Sequence, residues 1–456
     1  MQDAIKRPFA MRCMVSICLG WVLTPYAFAQ QPLSIDDTVS YALSHGSEHS
    51  QSRASIAAKQ EFLLAEQRKS WPSLAAELTV LRGSGKPTSF SAVNLQQDLD
   101  TPTLDSIKGN YGVGTFKLST PLFHDGSFFF QQTPTEVVAE GKYNKAQSDS
   151  NTQAAVLAND VAKAYLNALS TADQLKLLTS AYEKNQQRLD AVHKRVQAGL
   201  ANQADELSVK ATVAEQLATL NATKRLHVYQ RMLLAYALDA NSEAEITLLP
   251  IASEFPNAPQ PDQLTKVIAD THTAVMSQTA NLKIAKSTLA SQRAEHLPEV
   301  TFDITRTEAG DLFTDSTNKF VSAGINLRVT LMDSGQTRAK SRARNYEVEE
   351  NREILTQTRT KVIQDIYQAY YTYQNAVDTY TASIATVEKT RAQEQESIAK
   401  RNKGLISLDT LLEDETESLE SKVQQINKQY EAWLSWADFI KSLGLTYRSS
   451  LNSIAR

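Results

Sequence analysis

Val321-Ser322-Ala323-Gly324-Ile325-Asn326-Leu327-Arg328-Val329-Thr330-Leu331 alternates without a slip. Val321, Ala323, Ile325, Leu327, Val329 and Leu331 fall on one side of an extended chain and the polar or small residues on the other, because successive strand side chains point to opposite faces. About ten residues with one apolar and one polar face is the pattern of a barrel strand with lipid outside and water inside. A sheet packed on a soluble core would alternate in the same way, so the surroundings have to decide.

Three other stretches read alike. Gly112, Gly114, Phe116, Leu118 and Leu122 oppose Thr115, Lys117 and Ser119; Leu74, Ala76, Leu78 and Val80 oppose Ala75, Glu77 and Thr79; Val300, Phe302 and Ile304 oppose Thr301, Asp303 and Thr305. The spacing predicts four strands, over about 74–82, 111–123, 300–307 and 320–332.

The strands belong to a repeat. Leu63-Leu64-Ala65-Glu66-Gln67-Arg68 before Pro72 is answered by Leu289-Ala290-Ser291-Gln292-Arg293 before Pro298, and Pro121-Leu122-Phe123-His124-Asp125-Gly126 by Thr330-Leu331-Met332-Asp333-Ser334-Gly335. Gly199-Leu200 is answered by Gly404-Leu405. The offset is 226 from Pro72 to Pro298 and 209 from Gly126 to Gly335, so the first copy holds 17 extra residues between these landmarks. They are assigned to Gly83–Asn110, whose Gly, Ser, Thr, Pro and Asp content predicts an exposed loop. Two copies are too few for a solenoid.

Between the strands the chain is polar and poor in glycine. Ser127 to Gly199 and Gly335 to Gly404 each run for about 70 residues, roughly 100 Å as a helix. Pro134 interrupts the first of these near its start. Ile363, Ile366, Tyr370, Tyr373, Val377, Tyr380, Ile384 and Val387 hold heptad positions and predict a coiled-coil seam along the second. The shorter helical stretches before each proline and after each Gly-Leu pair add up to a similar length. Each half is thus predicted to lay one long helix beside two stacked shorter ones. The organisation expected is a first repeat over 30–240, a linker over 241–260 carrying Pro250, Pro256 and Pro259, and a second repeat over 261–456.

Residues 1–29 read as a secretory signal peptide. Lys6, Arg7 and Arg12 precede a short apolar run, and Ala27-Phe28-Ala29 supplies the cleavage pattern. Both cysteines, Cys13 and Cys18, lie in this leader, so no disulfide or thiol chemistry is expected of the mature chain. Neither follows a lipobox. The formal charge of −4 becomes −6 once Asp3, Lys6, Arg7 and Arg12 are removed, which gives no footprint for nucleic acid. No apolar run of about 18 residues follows the leader, so any membrane insertion would have to use strands.

Several apparent motifs carry no chemistry. His45-Gly46-Ser47-Glu48-His49 has the H-x-x-E-H spacing of inverted zinc peptidases, but a glycine weakens the helix and no third ligand is evident. Arg82-Gly83-Ser84-Gly85-Lys86 lacks phosphate-loop spacing. The other histidines are scattered, no catalytic set is clustered, and no cofactor is implied.

The leader, the doubled helix-strand-strand-helix-turn-helix pattern, the proline before each first strand and the Pro121-to-Gly126 run together resemble the TolC-like outer-membrane efflux family across nearly the whole mature chain. That resemblance implies a mostly α protein with transmembrane β strands: a homotrimer whose protomers each give four strands to a twelve-stranded barrel, continued by a long periplasmic α-helical coiled-coil barrel. It also implies an outer-membrane, non-enzymatic exit duct that serves an inner-membrane transporter through a membrane-fusion adaptor, in a tripartite efflux pump or a type I secretion system. Ala198, Gly199, Leu200, Lys403, Gly404 and Leu405 would then form the periplasmic tip and meet the adaptor. Asp409 and Glu413, four apart on one helical face, would ring the narrow lumen as a gate. Thr410, where the family pattern places a further acid, argues against a doubled ring, and Thr330 replaces a usual proline. The competing reading is a periplasmic coiled-coil scaffold without a channel.

Overall fold

The computed structural model describes residues 32–85, 107–239, 247–252, 254–311 and 317–447. The predicted leader lies outside the described residues, as does most of the loop expected over Gly83–Asn110.

The chain runs α1 (Ile35–His45), α2 (Ser47–Arg68), β1 (Ser73–Gly85), β2 (Ile107–His124), β3 (Ser127–Phe128), α3 (Pro134–Gln197), α4 (Gln203–Ala237), α5 (Pro261–Thr271), α6 (Thr273–Ala294), β4 (Glu299–Asp311), β5 (Thr317–Arg328), α7 (Gln336–Asn402) and α8 (Leu408–Ser442). α3 packs along α2 and α4, and α7 along α6 and α8, so each half sets a long helix against shorter ones end to end. α3 also packs on α6 and α8 and thereby joins the halves. With 64 and 67 residues, α3 and α7 are about 96 and 100 Å long.

The helix expected before each proline is in fact two helices. α1 and α2 have 11 and 22 residues, and so do α5 and α6. Gly46 ends α1 and begins α2 with extended backbone, and His272, 226 positions later, does the same for α5 and α6. At His272 the imidazole Nδ1 accepts from the Ala274 N–H and serves as the cap. The break at Gly46 also puts His45 and Glu48 on different helices, so the H-x-x-E-H spacing does not describe one helical face.

Strand bounds differ from expectation for reasons of pairing. β1 reaches Gly85 and β2 begins at Ile107, because Gly83, Ser84 and Gly85 pair with Gly109, Lys108 and Ile107, so the predicted loop is shorter. β5 stops at Arg328 although the alternation continues to Leu331: its partner β4 starts at Glu299, just after Pro298, and leaves Val329 onward without a ladder. Pro134 does not interrupt a helix but starts one, at the first turn of α3, where a missing N–H costs nothing. Upstream of it, Ser127 and Phe128 form the short β3 instead, and residues 129–133 turn the chain into α3.

The main core sits at the waist. Tyr165, Leu166, Ile366, Tyr373, Trp436 and Phe439 from α3, α7 and α8 are fully buried there. The linker is tied to this core: Tyr165 Oη lies 2.9 Å from the Leu33 carbonyl oxygen and 2.7 Å from that of Leu249, and Tyr373 Oη donates to the Pro256 carbonyl at 2.5 Å. The α7 seam is only partly the one expected. Ile366 and Tyr373 are buried, but Ile384 is exposed, and toward the far end the buried positions are Thr390 and Ser397. Small polar residues hold that part of the seam; Thr390 Oγ1 meets Ser421 Oγ of α8 at 2.7 Å.

Candidate channel wall and helical tip

The strands form one antiparallel sheet in the order β1-β2-β4-β5, with β3 attached to the end of β2. Cross-strand partners share a face. Leu74 and Ala76 pair with Leu118 and Phe116, Leu118 pairs with Ile304, and Ile304 and Phe302 pair with Ala323 and Ile325. The register therefore joins the four predicted apolar stripes into one face, on which Leu74, Leu78, Ile325 and Leu327 are strongly exposed. Past Leu118 the register shifts. A β-bulge between Pro121 and Phe123 leaves Leu122 as the extra residue and brings Phe123 opposite Val300, so Phe123 joins the apolar side.

The opposite face is mostly polar, and the charges at its centre are paired. Lys117 Nζ lies 3.0 Å from Asp303, whose other neighbour Ser119 donates to it at 2.6 Å. On the apolar side charge appears only toward the hairpin end, where Arg306 pairs with Glu308 and Lys319 faces Glu308 across the strands.

Where sheet meets helix, two aspartates fix the turns. Asp333 accepts from the Gly335 N–H at 3.0 Å and the Thr337 N–H at 2.7 Å, opening α7 from a left-handed Gly335 at φ 82°. Hydrogen bonds from Thr337, then from Gly335, hold its carboxyl down at about 2. Asp125, next to left-handed Gly126, accepts from Thr135 N–H at 3.0 Å and from Ser291 Oγ at 2.7 Å. Nearby Glu136 is buried, which pushes its carboxyl up even though Ser70 donates to it.

At the other end of the long helices, α3 and α7 close in the same way. Leu200 N–H donates to Arg195 O at 2.8 Å and Gly199 N–H to Val196 O at 2.9 Å; Leu405 N–H donates to Lys400 O at 3.0 Å and Gly404 N–H to Arg401 O at 2.9 Å. These are paired Schellman caps, and Gly199 and Gly404 supply the left-handed residue at φ 72° and 74°. Three residues on, Asn202 and Ser407 cap α4 and α8 through their side chains. The two turns lie together. Val209 and Val213 of α4 form one buried cluster with Leu408, Leu411 and Leu412 of α8, and Arg401 donates to the Ile406 carbonyl at 3.0 Å and lies 3.9 Å from Asp205. Leu200 and Leu405 project outward, about 70% exposed.

Of the expected gate residues, Asp409 and Glu413 are both exposed on the first turns of α8, on the side away from buried Leu408, Leu411 and Leu412. Among the described residues neither forms an ion pair.

The sequence reading missed a charged knot just above the tip. Arg188 of α3 grips Glu415 of α8 with two N–H groups, one at 2.8 Å. Lys184 bridges Glu415 at 3.1 Å and Glu394 of α7 at 3.7 Å, and Lys422 reaches Glu394 at 3.3 Å. Burial alone would raise the Glu415 carboxyl, but Arg188 and Lys184 outweigh it and hold the group below its usual range. The signal lay in helical periodicity: Glu415, seven residues after Leu408 and three after Leu412, falls on the inward side of α8.

The sequence of residues 42–236 and 267–445 matches the model of the outer membrane efflux protein family. The chain belongs to that family. Its efflux proteins are outer-membrane channels and not enzymes, and this chain shares their location. Among curated proteins it is similar to Protein CyaE of Bordetella pertussis, with 24% identity over 400 residues, which is 84% of this chain and 78% of that protein. Among solved structures the fold is similar to the Campylobacter jejuni CmeC outer membrane channel, at a TM-score of 0.75 and 15% identity over 91% of this chain and 86% of that one. The outer membrane protein VceC of Vibrio cholerae gives 0.74 and 15% identity over 91% and 97%. At such identities the likeness speaks for the fold alone. No helix of the described part of this efflux protein is long and apolar enough to cross a membrane.

Proposed function

We propose that three copies of the chain form a passive exit duct of a tripartite pump or a type I secretion system, which receives substrate from an inner-membrane transporter by way of an adaptor. The observation that carries this reading is the open sheet. Its apolar face runs unbroken across four strands, while among the described residues β1 and β5 have no partner beyond the sheet. A strand edge cannot face hydrocarbon unpaired, and four strands are too few to close a barrel. Pairing β5 of one copy with β1 of the next removes both edges, and three copies give twelve strands. The long helices then continue the wall, and the two outward-pointing Gly-Leu turns present a repeated motif to the adaptor.

The test is fractionation and conductance. Heat-resistant trimers in the outer-membrane fraction that conduct ions in planar bilayers are expected. A soluble periplasmic monomer would instead favour the scaffold.

A further inference from the structure

Phe128 ends β3, Phe129 and Phe130 follow it before the start of α3, and all three are at least half exposed. They continue the apolar face of the sheet. The bulge at Leu122 puts Phe123 on that face, and Phe128 is the cross-strand partner of Phe123, with the rings edge-on at 5.0 Å. Phe130 stacks on Phe128 at 5.7 Å, and Phe129 stands edge-on to Phe130 at 5.3 Å. Three adjacent aromatic rings left in the open have no use in the chain's own core.

The length of the apolar face says what covers them. On β4 that face begins at Val300 and meets charge at Arg306, six residues later. Six residues rise about 20 Å along a strand, and less across a membrane once the strand tilts. An outer-membrane barrel needs an apolar band about 25 Å tall, flanked by aromatic girdles. Arg306, Glu308 and Lys319 close the band on the hairpin side, so the missing height lies at the helix-bearing end. That is where the phenylalanines extend it.

We infer that Phe128, Phe129 and Phe130 form a lipid-interface anchor, seated in the boundary between acyl chains and headgroups of the periplasmic leaflet, which sets the depth of the barrel. Phenylalanine suits this position because its ring is apolar and the polar groups around it stay in the headgroup layer. Gln131 and Gln132 follow directly, and Thr133 caps α3, so the chain turns polar within one residue of Phe130. The rings then act as a stop: pushing them deeper buries those polar groups, and withdrawing them exposes three aromatic side chains to water.

The inference rests on the barrel reading, and one experiment separates the two. Cys13 and Cys18 are the chain's only cysteines and fall in the predicted leader, so single nitroxide labels can be placed without background on Phe130→Cys, Ile325→Cys and Leu200→Cys. The labelled mature protein, freed of the predicted leader, is reconstituted in phosphatidylethanolamine–phosphatidylglycerol vesicles, and each label's accessibility to oxygen and to a water-soluble nickel chelate is read by power saturation. The Ile325 label should sit deep in hydrocarbon, the Leu200 label in water, and the Phe130 label several-fold more open to oxygen relative to nickel than Leu200 but shallower than Ile325. A Phe130 label that behaves like Leu200, or that is shielded from both reagents by a neighbouring copy, overturns the anchor while a deep Ile325 label preserves the barrel. An Ile325 label in water overturns both.

Discussion

Arg188 on α3 and Glu415 on α8 form a two-pronged ion pair across the seam between the two halves, on side chains that are 21% and 8% exposed. The same carboxylate takes Lys184, and through it the pair is joined to Glu394 on α7. Three helices that belong to two different repeats are therefore held at one level just above the tip. A bidentate guanidinium–carboxylate contact fixes distance and orientation together, which a lysine in place of Arg188 could not do.

Glu415→Gln should loosen the tip without affecting the barrel. It removes the anion that Arg188 and Lys184 share, at a local cost of about 1–3 kcal/mol. Arg188 keeps a hydrogen bond to Asn185, so the helices should not separate entirely. Hydrogen exchange should quicken in α8 near residue 415 and stay unchanged at the waist.

The same pair sets a pH dependence. The folded Glu415 carboxyl lies below its unfolded value, so between the two values the unfolded state binds more protons and stability rises with pH. The contribution is complete above the ordinary glutamate value near 4.3 and is lost as pH falls through the lowered one. Protease sensitivity of the tip should therefore rise on acidification below about 4.3 in the natural protein, and this step should be absent in Glu415→Gln.

Arg at Ile325 should impair barrel assembly by about 2–4 kcal/mol if it lies near the bilayer midplane, while Arg at Asn326, on the polar face, should be tolerated. Leu327→Arg should cost less than Ile325→Arg, because Leu327 is one residue from the end of β5. Yields of heat-resistant trimer rank the three, and equal tolerance would remove the lipid-facing assignment.

The loop that composition predicts over Gly83–Asn110 should be reachable from the cell surface. A Ser89→Cys protein should react with an impermeant maleimide on intact cells, as loop tips do. Reaction only after cell breakage would invert the topology.

Asp409 and Glu413 test the lumen. If they ring a narrow trimeric opening, divalent cations should bind there and block current, since repulsion among like charges is relieved by a cation. Asp409→Asn with Glu413→Gln should abolish the block and leave trimers intact. Gly404→Val should act differently, leaving the block in place. A β-branched residue is strained at φ 74°, so the turn is distorted and adaptor-dependent export falls while the barrel stays inserted. Single-channel conductance with and without divalent ions separates the two, and an unchanged block in the double variant would place the carboxylates on a solvated outer face.

What could be read from the sequence was whatever repeats at short range. Alternation at Leu74–Val80 and Val321–Leu327 gives strands because the period of two is a property of the extended backbone itself, and the Gly199 and Gly404 turns follow from one residue's freedom at positive φ. The doubling of the chain was legible because both halves face the same packing problem. What only the tertiary structure decided depends on partners far apart in sequence. Val329–Leu331 alternates perfectly but is not strand, since Pro298 ends the ladder it would need. Phe123 joins the apolar face because a bulge at Leu122 answers the register of β4, some 180 residues later. Glu415 looks like one acid among many in α8 until Arg188 is brought to it across 227 positions. Local periodicity fixes which way a side chain can point; only the neighbouring element settles whether lipid, water or a counter-charge is there to meet it.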